Sequence, residues 1–91
     1  MELRWTDRAV GDLARLYEFL AEVNRPVAER VVQTLSRRPT KLLTNPRLGE
    51  QLFQFEPREV RRILVAGYEI RYEITEVAIY ILRLWHTRED R

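Results

Sequence analysis

The segment Tyr68-Glu69-Ile70-Arg71-Tyr72-Glu73-Ile74 alternates apolar and charged residues without a break, and it constrains the chain more than any other feature. Successive side chains of a strand point to opposite faces, so such a run calls for one buried face and one polar face. It also needs neighbouring strands and a cover, because isolated strand pairs are barely stable in water. Upstream, Val60 to Val65 reads as a neighbouring strand, with Ala66-Gly67 as the tight turn between the two. Thr75-Glu76 turns the chain again. Val77 to Trp85, apolar on both faces except at Arg83, reads as a central strand.

The N-terminal half supplies the cover. Glu2-Leu3-Arg4-Trp5 alternates as a short strand, and Thr6 followed by Asp7 is a helix N-terminus. A first helix is predicted over about 7–22. Its apolar stripe is Val10, Leu13, Tyr17 and Leu20 with Ala9 and Leu16 beside them, and Arg8, Asp12, Arg15 and Glu22 lie opposite. Asn24-Arg25-Pro26 stops this helix and starts a second, whose stripe is Ala28, Val31, Val32, Leu35, Leu42 and Leu43. Pro39 falls in that stripe and should kink or break the helix near 36–39. Residues 44–49 are a loop by composition, and Leu52, Phe53 and Phe55 form either a short strand or a plug for the core. The fold class is therefore α+β, in the order β-α-α-β-β-β. A helical hairpin packs on one face of a mostly antiparallel sheet in two layers.

A length of 91 residues points to one domain over 1–91, with one small core. Hydrophobic residues at 45% and charged residues at 33% separate it from disordered chains. The chain has no cysteine, which removes disulfide and thiolate chemistry; no metal site and no cofactor are expected. The N-terminus is charged from its second residue, unlike a signal peptide, and no apolar run is of membrane-spanning length. A cytoplasmic protein with no membrane partner is the expectation. Lys41 is the only lysine among sixteen basic residues. Arginine suits carboxylate and phosphate recognition, although codon bias accounts for such a preference as well.

Two-residue turns at 66–67 and 75–76 pair Leu64 with Glu69, Arg62 with Arg71, Arg71 with Tyr80 and Glu69 with Leu82. Tyr68, Ile70, Tyr72 and Ile74 then share the helix-covered face with Val77, Ile79 and Ile81. The opposite face carries Val60, Arg62, Leu64, Glu69, Arg71, Glu73, Ala78, Tyr80, Leu82, Leu84 and His86. Part greasy and part charged, this face suits a partner segment laid across it or added to a strand edge. The alternative is that the 47–57 loop folds over it. Arg62 opposite Arg71 is unfavourable unless Glu69 and Glu73 offset the charge.

Several ordered motifs now stand together: Asn45-Pro46-Arg47-Leu48-Gly49, Arg58-Glu59-Val60, Gly67-Tyr68-Glu69-Ile70-Arg71-Tyr72, Ile79 through His86, and Thr87-Arg88-Glu89-Asp90. As a set, in a chain of this length, they resemble the RelE/ParE toxin superfamily, with the ParE-like branch closest. The resemblance implies the growth-inhibiting toxin of a type II toxin–antitoxin (plasmid stabilization) module, neutralised by a cognate antitoxin. Operator DNA is then read only through the antitoxin. It also implies one of two targets. ParE-like members poison DNA gyrase, whereas RelE-like members are endoribonucleases that cut mRNA on the ribosome; a relative that is only a non-toxic interaction module is the remaining reading.

RNA cleavage needs a base, an acid and a cationic clamp. The residues that could serve are His86, Arg71, Arg83 and Arg88. Glu69 stands where RelE-like sequences commonly place an arginine, and no tyrosine follows Tyr80, so gyrase poisoning is the favoured reading and an enzyme the less favoured one. Tyr80, Leu82, Leu84, Leu64 and Val60 are the candidate antitoxin contacts. Arg58, Arg61, Arg62, Arg71 and Arg88 are the candidate target contacts. The plainer expectation for Arg71, Arg83 and Arg88 is pairing with Glu69, Glu73 and Glu89, and for Arg58, Arg61 and Arg62 a solvated charged edge. For His86 it is a strand-end residue bonded to backbone. Trp5 and Trp85 are expected to be structural.

Overall fold

In the computed structural model, residues 1–88 are described. Glu89, one of the expected partners of the arginines, lies outside the described residues.

Strand β1 (Glu2–Trp5) leads into helix α1 (Asp7–Val23). The junction is tied by Thr6, whose hydroxyl accepts the Ala9 N–H at 3.2 Å and lies 3.0 Å from the carbonyl oxygen of Ile81. Asn24 ends α1 and caps helix α2 (Arg25–Arg37), its Oδ1 accepting the Val27 N–H at 3.1 Å. Pro39 acts as its chemistry requires: α2 stops at Arg37, and residues 38–43 continue as a tighter 3-10 turn. A two-residue strand β2 (Glu50–Gln51) precedes a 3-10 turn at Phe53–Phe55. Leu52, Phe53 and Phe55 are neither strand nor core plug: the short strand falls just before them, Phe53 is 65% exposed, and Leu52 and Phe55 are only half-buried. Strands β3 (Glu59–Val65), β4 (Tyr68–Ile74) and β5 (Ala78–His86) complete the chain.

The sheet order is β1-β5-β4-β3-β2, with β1 parallel to β5 and every other pair antiparallel. The helices cover one face, over a core of Ala9, Leu35, Leu42, Ile70, Tyr72, Ile79 and Ile81. The stripe of α1 is rotated from expectation. Ala9 and Asp12 are the buried positions, whereas Val10 is 51% exposed. Asp12 tolerates burial because it finds strong partners, described below. Among the described residues no helix is long and apolar enough to cross a membrane.

The β3–β4 hairpin has the expected register, Leu64 with Glu69 and Arg62 with Arg71. Its turn has positive φ at Ala66 (53°) and Gly67 (84°), the two-residue geometry that matches strand twist. The β4–β5 register departs from expectation twice. The turn is longer, so Ile74 pairs with Ile79, and Val77 lies outside the strand, 69% exposed. Thr75 organises this turn, its Oγ1 accepting the Ala78 N–H at 3.1 Å. A bulge then follows: Tyr72 pairs with Ile81 but Arg71 with Arg83, leaving Leu82 as the extra residue. An extra residue exchanges the faces of everything beyond it. Leu84 and His86 therefore pass to the helix side, opposite Ile70 and Tyr68, while Trp85 joins Glu69 on the far side.

Candidate functional site

The far face of the sheet is organised around a buried carboxylate. Glu69 is 1% exposed and bonded to Arg62 at 3.1 Å and to Arg71 at 3.3 Å. The like-charged cross-strand pair is thus neutralised by the acid between them, as the sequence suggested; Glu73 instead binds Arg58, at 2.8 and 3.1 Å. The guanidinium of Arg71 also lies between two rings, 4.8 Å from the Trp85 centroid and 5.2 Å from that of Phe55. Phe55 arrives on the 3-10 turn after β2, so the 47–57 segment does fold over one corner of this face. That fold-back accounts for Val60, which is fully buried.

Two of the five apolar residues expected on the surface are therefore corrected. Val60 is sealed by its own chain, and Leu84 is 3% exposed on the helix side because of the bulge. Leu64 is 62% exposed, and Tyr80 and Leu82 are half-buried. These three do not meet: Leu64 neighbours Glu69 near the first turn, while Tyr80 lies beside Glu73 and Arg4.

The arginines are committed within the chain. Arg61 reaches Glu59 at 2.9 Å and the Gly49 carbonyl at 2.7 Å, and Arg62 also holds Glu50 at 2.8 Å. Arg83 binds Asp12 through both carboxylate oxygens, at 2.8 and 3.1 Å. The same carboxylate accepts the Leu84 N–H at 3.0 Å and bonds Arg15 at 2.6 Å. Burial alone would raise its pKa, but the bonds from Arg83, Leu84 and Arg15 outweigh that and hold Asp12 below its usual range. Asp12 was placed on the polar side of α1 by its periodicity. Its role could not be read from spacing, because apart from Arg15 its partners, Arg83 and Leu84, lie some seventy residues away.

His86 lies across the sheet from this arginine cluster. Its ring meets Tyr68 edge-on, with centroids 5.1 Å apart, and its Nδ1 accepts the Arg88 N–H at 3.1 Å. Leu16, Phe19, Tyr68, His86 and Arg88 line a groove between α1 and the end of β5. Phe19, 68% exposed, is its most open apolar wall. It carries no distinctive sequence signal beyond its place beside Leu16 on the helix. Among the described residues no group of three or more acids and histidines could hold a metal.

A helical hairpin on a five-stranded, mostly antiparallel sheet is a fold this chain shares with solved toxins of bacterial toxin–antitoxin modules. The solved chromosomal ParDE system of P. aeruginosa shares it with a TM-score of 0.79 at 24% identity, covering 94% of this chain and 95% of that one. The isolated E. coli RelE toxin shares it with a TM-score of 0.64 at 17% identity, over 99% and 87%. None of the curated proteins matches the sequence. The family model of the ParE toxin of the type II toxin–antitoxin system parDE matches residues 3–91, and the chain belongs to that family.

Proposed function

We propose that this toxin arrests growth by poisoning DNA gyrase and is held in check by a cognate antitoxin. One observation carries the choice of target. The residues that RNA cleavage would need are split: Arg71 is clamped between Glu69 and two rings on the far side and Arg83 is bonded to Asp12, which leaves only His86 and Arg88 together, in the groove beside Phe19. A general base must lie within hydrogen-bond reach of the proton it takes, with the cationic clamp on the same phosphate. Arginines already neutralised by buried acids are poor phosphate clamps, while the ring-stacked Arg71 and the exposed Leu64 offer a protein-binding surface. For the antitoxin, Tyr80, Leu82 and Leu64 together with the Phe19 groove provide the apolar contacts that an extended segment uses.

Purified toxin added to gyrase, ATP and relaxed plasmid should inhibit supercoiling and accumulate cleaved DNA. Translating ribosomes treated alike should keep their mRNA intact. His86→Ala should remain as toxic as the unmodified chain when expressed without antitoxin. Cut mRNA abolished by that substitution would overturn the gyrase reading in favour of a nuclease.

A further inference from the structure

The cations of this chain fall into two populations. Each arginine of the sheet is bonded to a carboxylate of the same chain: Arg4 to Glu2, Arg61 to Glu59, Arg62 to Glu50 and Glu69, Arg71 to Glu69, and Arg83 to Asp12. Arg47 and Arg58, in the segment bordering the sheet, bind Glu59 and Glu73. By contrast Arg30, Arg37, Arg38 and Lys41 are exposed, and among the described residues none of them enters an ion pair. Residues 25–41 hold five basic residues (Arg25, Arg30, Arg37, Arg38, Lys41) and one acid (Glu29), a net of 5 − 1 = +4. The whole chain is +2, so everything outside this segment sums to 2 − 4 = −2. The positive field of the molecule is therefore concentrated on one segment.

The helix fixes where these charges point. Ala28 and Leu35 are buried and Val31 and Val32 half-buried, which turns Arg30, Gln33 and Arg37 outward. Arg30 and Arg37 are two turns apart on the same side, about 10 Å along the axis. Arg38 and Lys41 extend the basic segment into the 3-10 turn that the buried Pro39 enforces.

We propose that this outer face of α2 and the turn after it, centred on Arg30, Arg37, Arg38 and Lys41, binds the phosphate backbone of double-stranded DNA. A protein partner fits it less well. Stable protein interfaces are anchored by apolar and aromatic residues, and no large hydrophobic is exposed within residues 25–41. Single strands are held by stacking on aromatic rings, and this segment contains none. Duplex RNA is told from DNA through its ribose hydroxyls, and the three hydroxyls of this segment, Thr34, Ser36 and Thr40, have their protons committed to carbonyls of their own helix and turn and can only accept, so an RNA duplex is the comparison to make. What remains is a set of cations, in no ion pair among the described residues, on a helix and the turn that follows it, which suits the closely spaced phosphates of a DNA duplex. The inference stands on charge distribution and holds whichever target the toxin has.

Fluorescence anisotropy of the full chain with a labelled random-sequence duplex of about 20 bp, over about 50–200 mM salt, tests it. Four phosphate contacts predict a linear fall of log K with log salt, of slope about −3 to −4. Arg30→Gln with Arg37→Gln should reduce the slope by about 2 and the affinity at the lowest salt by about tenfold or more. Arg4→Gln with Arg8→Gln removes the same charge elsewhere and should leave the slope unchanged. Five results overturn the proposal: no salt-dependent binding by the unmodified chain, equal losses in the two double variants, equal affinity for a single strand of the same length, tighter binding of an RNA duplex of the same length, or poly-glutamate competing as well as unlabelled duplex.

Discussion

Asp12→Ala should lower the stability of this toxin by about 3 kcal/mol, the cost of losing a buried carboxylate with its bonds to the Leu84 amide and to the partly exposed Arg83. For a domain of this size the melting temperature should fall by roughly 12–24 °C, measurable by thermal circular dichroism. The cause lies in where β1 ends. It pairs with β5 only as far as Ile81, and beyond that point the β5 edge has no strand beside it. Thr6 meets the Ile81 and Leu82 carbonyls, and the Asp12 carboxylate accepts the Leu84 N–H and both bonds from Arg83. Alanine would leave the buried Leu84 amide without its acceptor and would take the carboxylate away from Arg83 and Arg15.

The pH dependence has a definite sign. A carboxylate whose folded pKa is depressed contributes stability above its unfolded value, and that contribution is lost as the pH falls through the folded value. Asp12 lies below its ordinary 3.8. The advantage of the unmodified chain over Asp12→Asn should therefore hold at neutral and mildly acidic pH and shrink only below about 3.8. An advantage already lost near neutrality would remove the carboxylate from this role.

Asp12 also marks the boundary of what the sequence discloses. Local chemistry was legible: Thr6 and Asn24 as caps, Pro39 as a helix stop, and Ala66-Gly67 as a two-residue turn that sets the β3–β4 register. Each of these depends on neighbours within a few residues. The arginine–glutamate cluster was half legible, because cross-strand register placed Arg62 opposite Arg71 and suggested the acids beside them. Its ring-lined enclosure was not, since Phe55 is brought there by a loop and Trp85 by a bulge. That bulge at Leu82 has no signature, as Leu82 is as good a strand residue as its neighbours. Yet it alone exchanges the faces of Leu84, Trp85 and His86, and with them the apparent composition of the binding surface. The β-branched Val77 misled for a related reason: its propensity suits a strand, but Thr75 bonds Ala78 and leaves Val77 in the turn.

Gly49→Ala should destabilise the toxin by about 2–4 kcal/mol, an overpacking cost with a lost hydrogen bond added to it. The backbone at Gly49 is ordinary, with φ −81° and ψ 159°, so conformational freedom is not what requires glycine there. Space is the reason. A methyl group would collide with the Arg62 carbonyl and lie 2.7 Å from the Tyr72 hydroxyl. Neither neighbour can yield easily. The carbonyl belongs to β3, paired on its other side with β4, and Tyr72 is fully buried. The Tyr72 hydroxyl donates to the Pro46 carbonyl at 2.7 Å and accepts the Gly49 N–H at 2.9 Å, pinning the 46–49 loop onto the sheet. Tyr72→Phe removes those bonds without adding bulk and should cost a smaller 1–2 kcal/mol or so. Separating the two effects needs the double variant. If the methyl group acts chiefly by pushing the loop off the tyrosine, Gly49→Ala with Tyr72→Phe should cost less than the sum of the single changes. Strict additivity would place the strain wholly on the Arg62 carbonyl. In either case the damage should concentrate on β2, where amide exchange at Gln51 and Leu52 should accelerate before the β4–β5 core is affected.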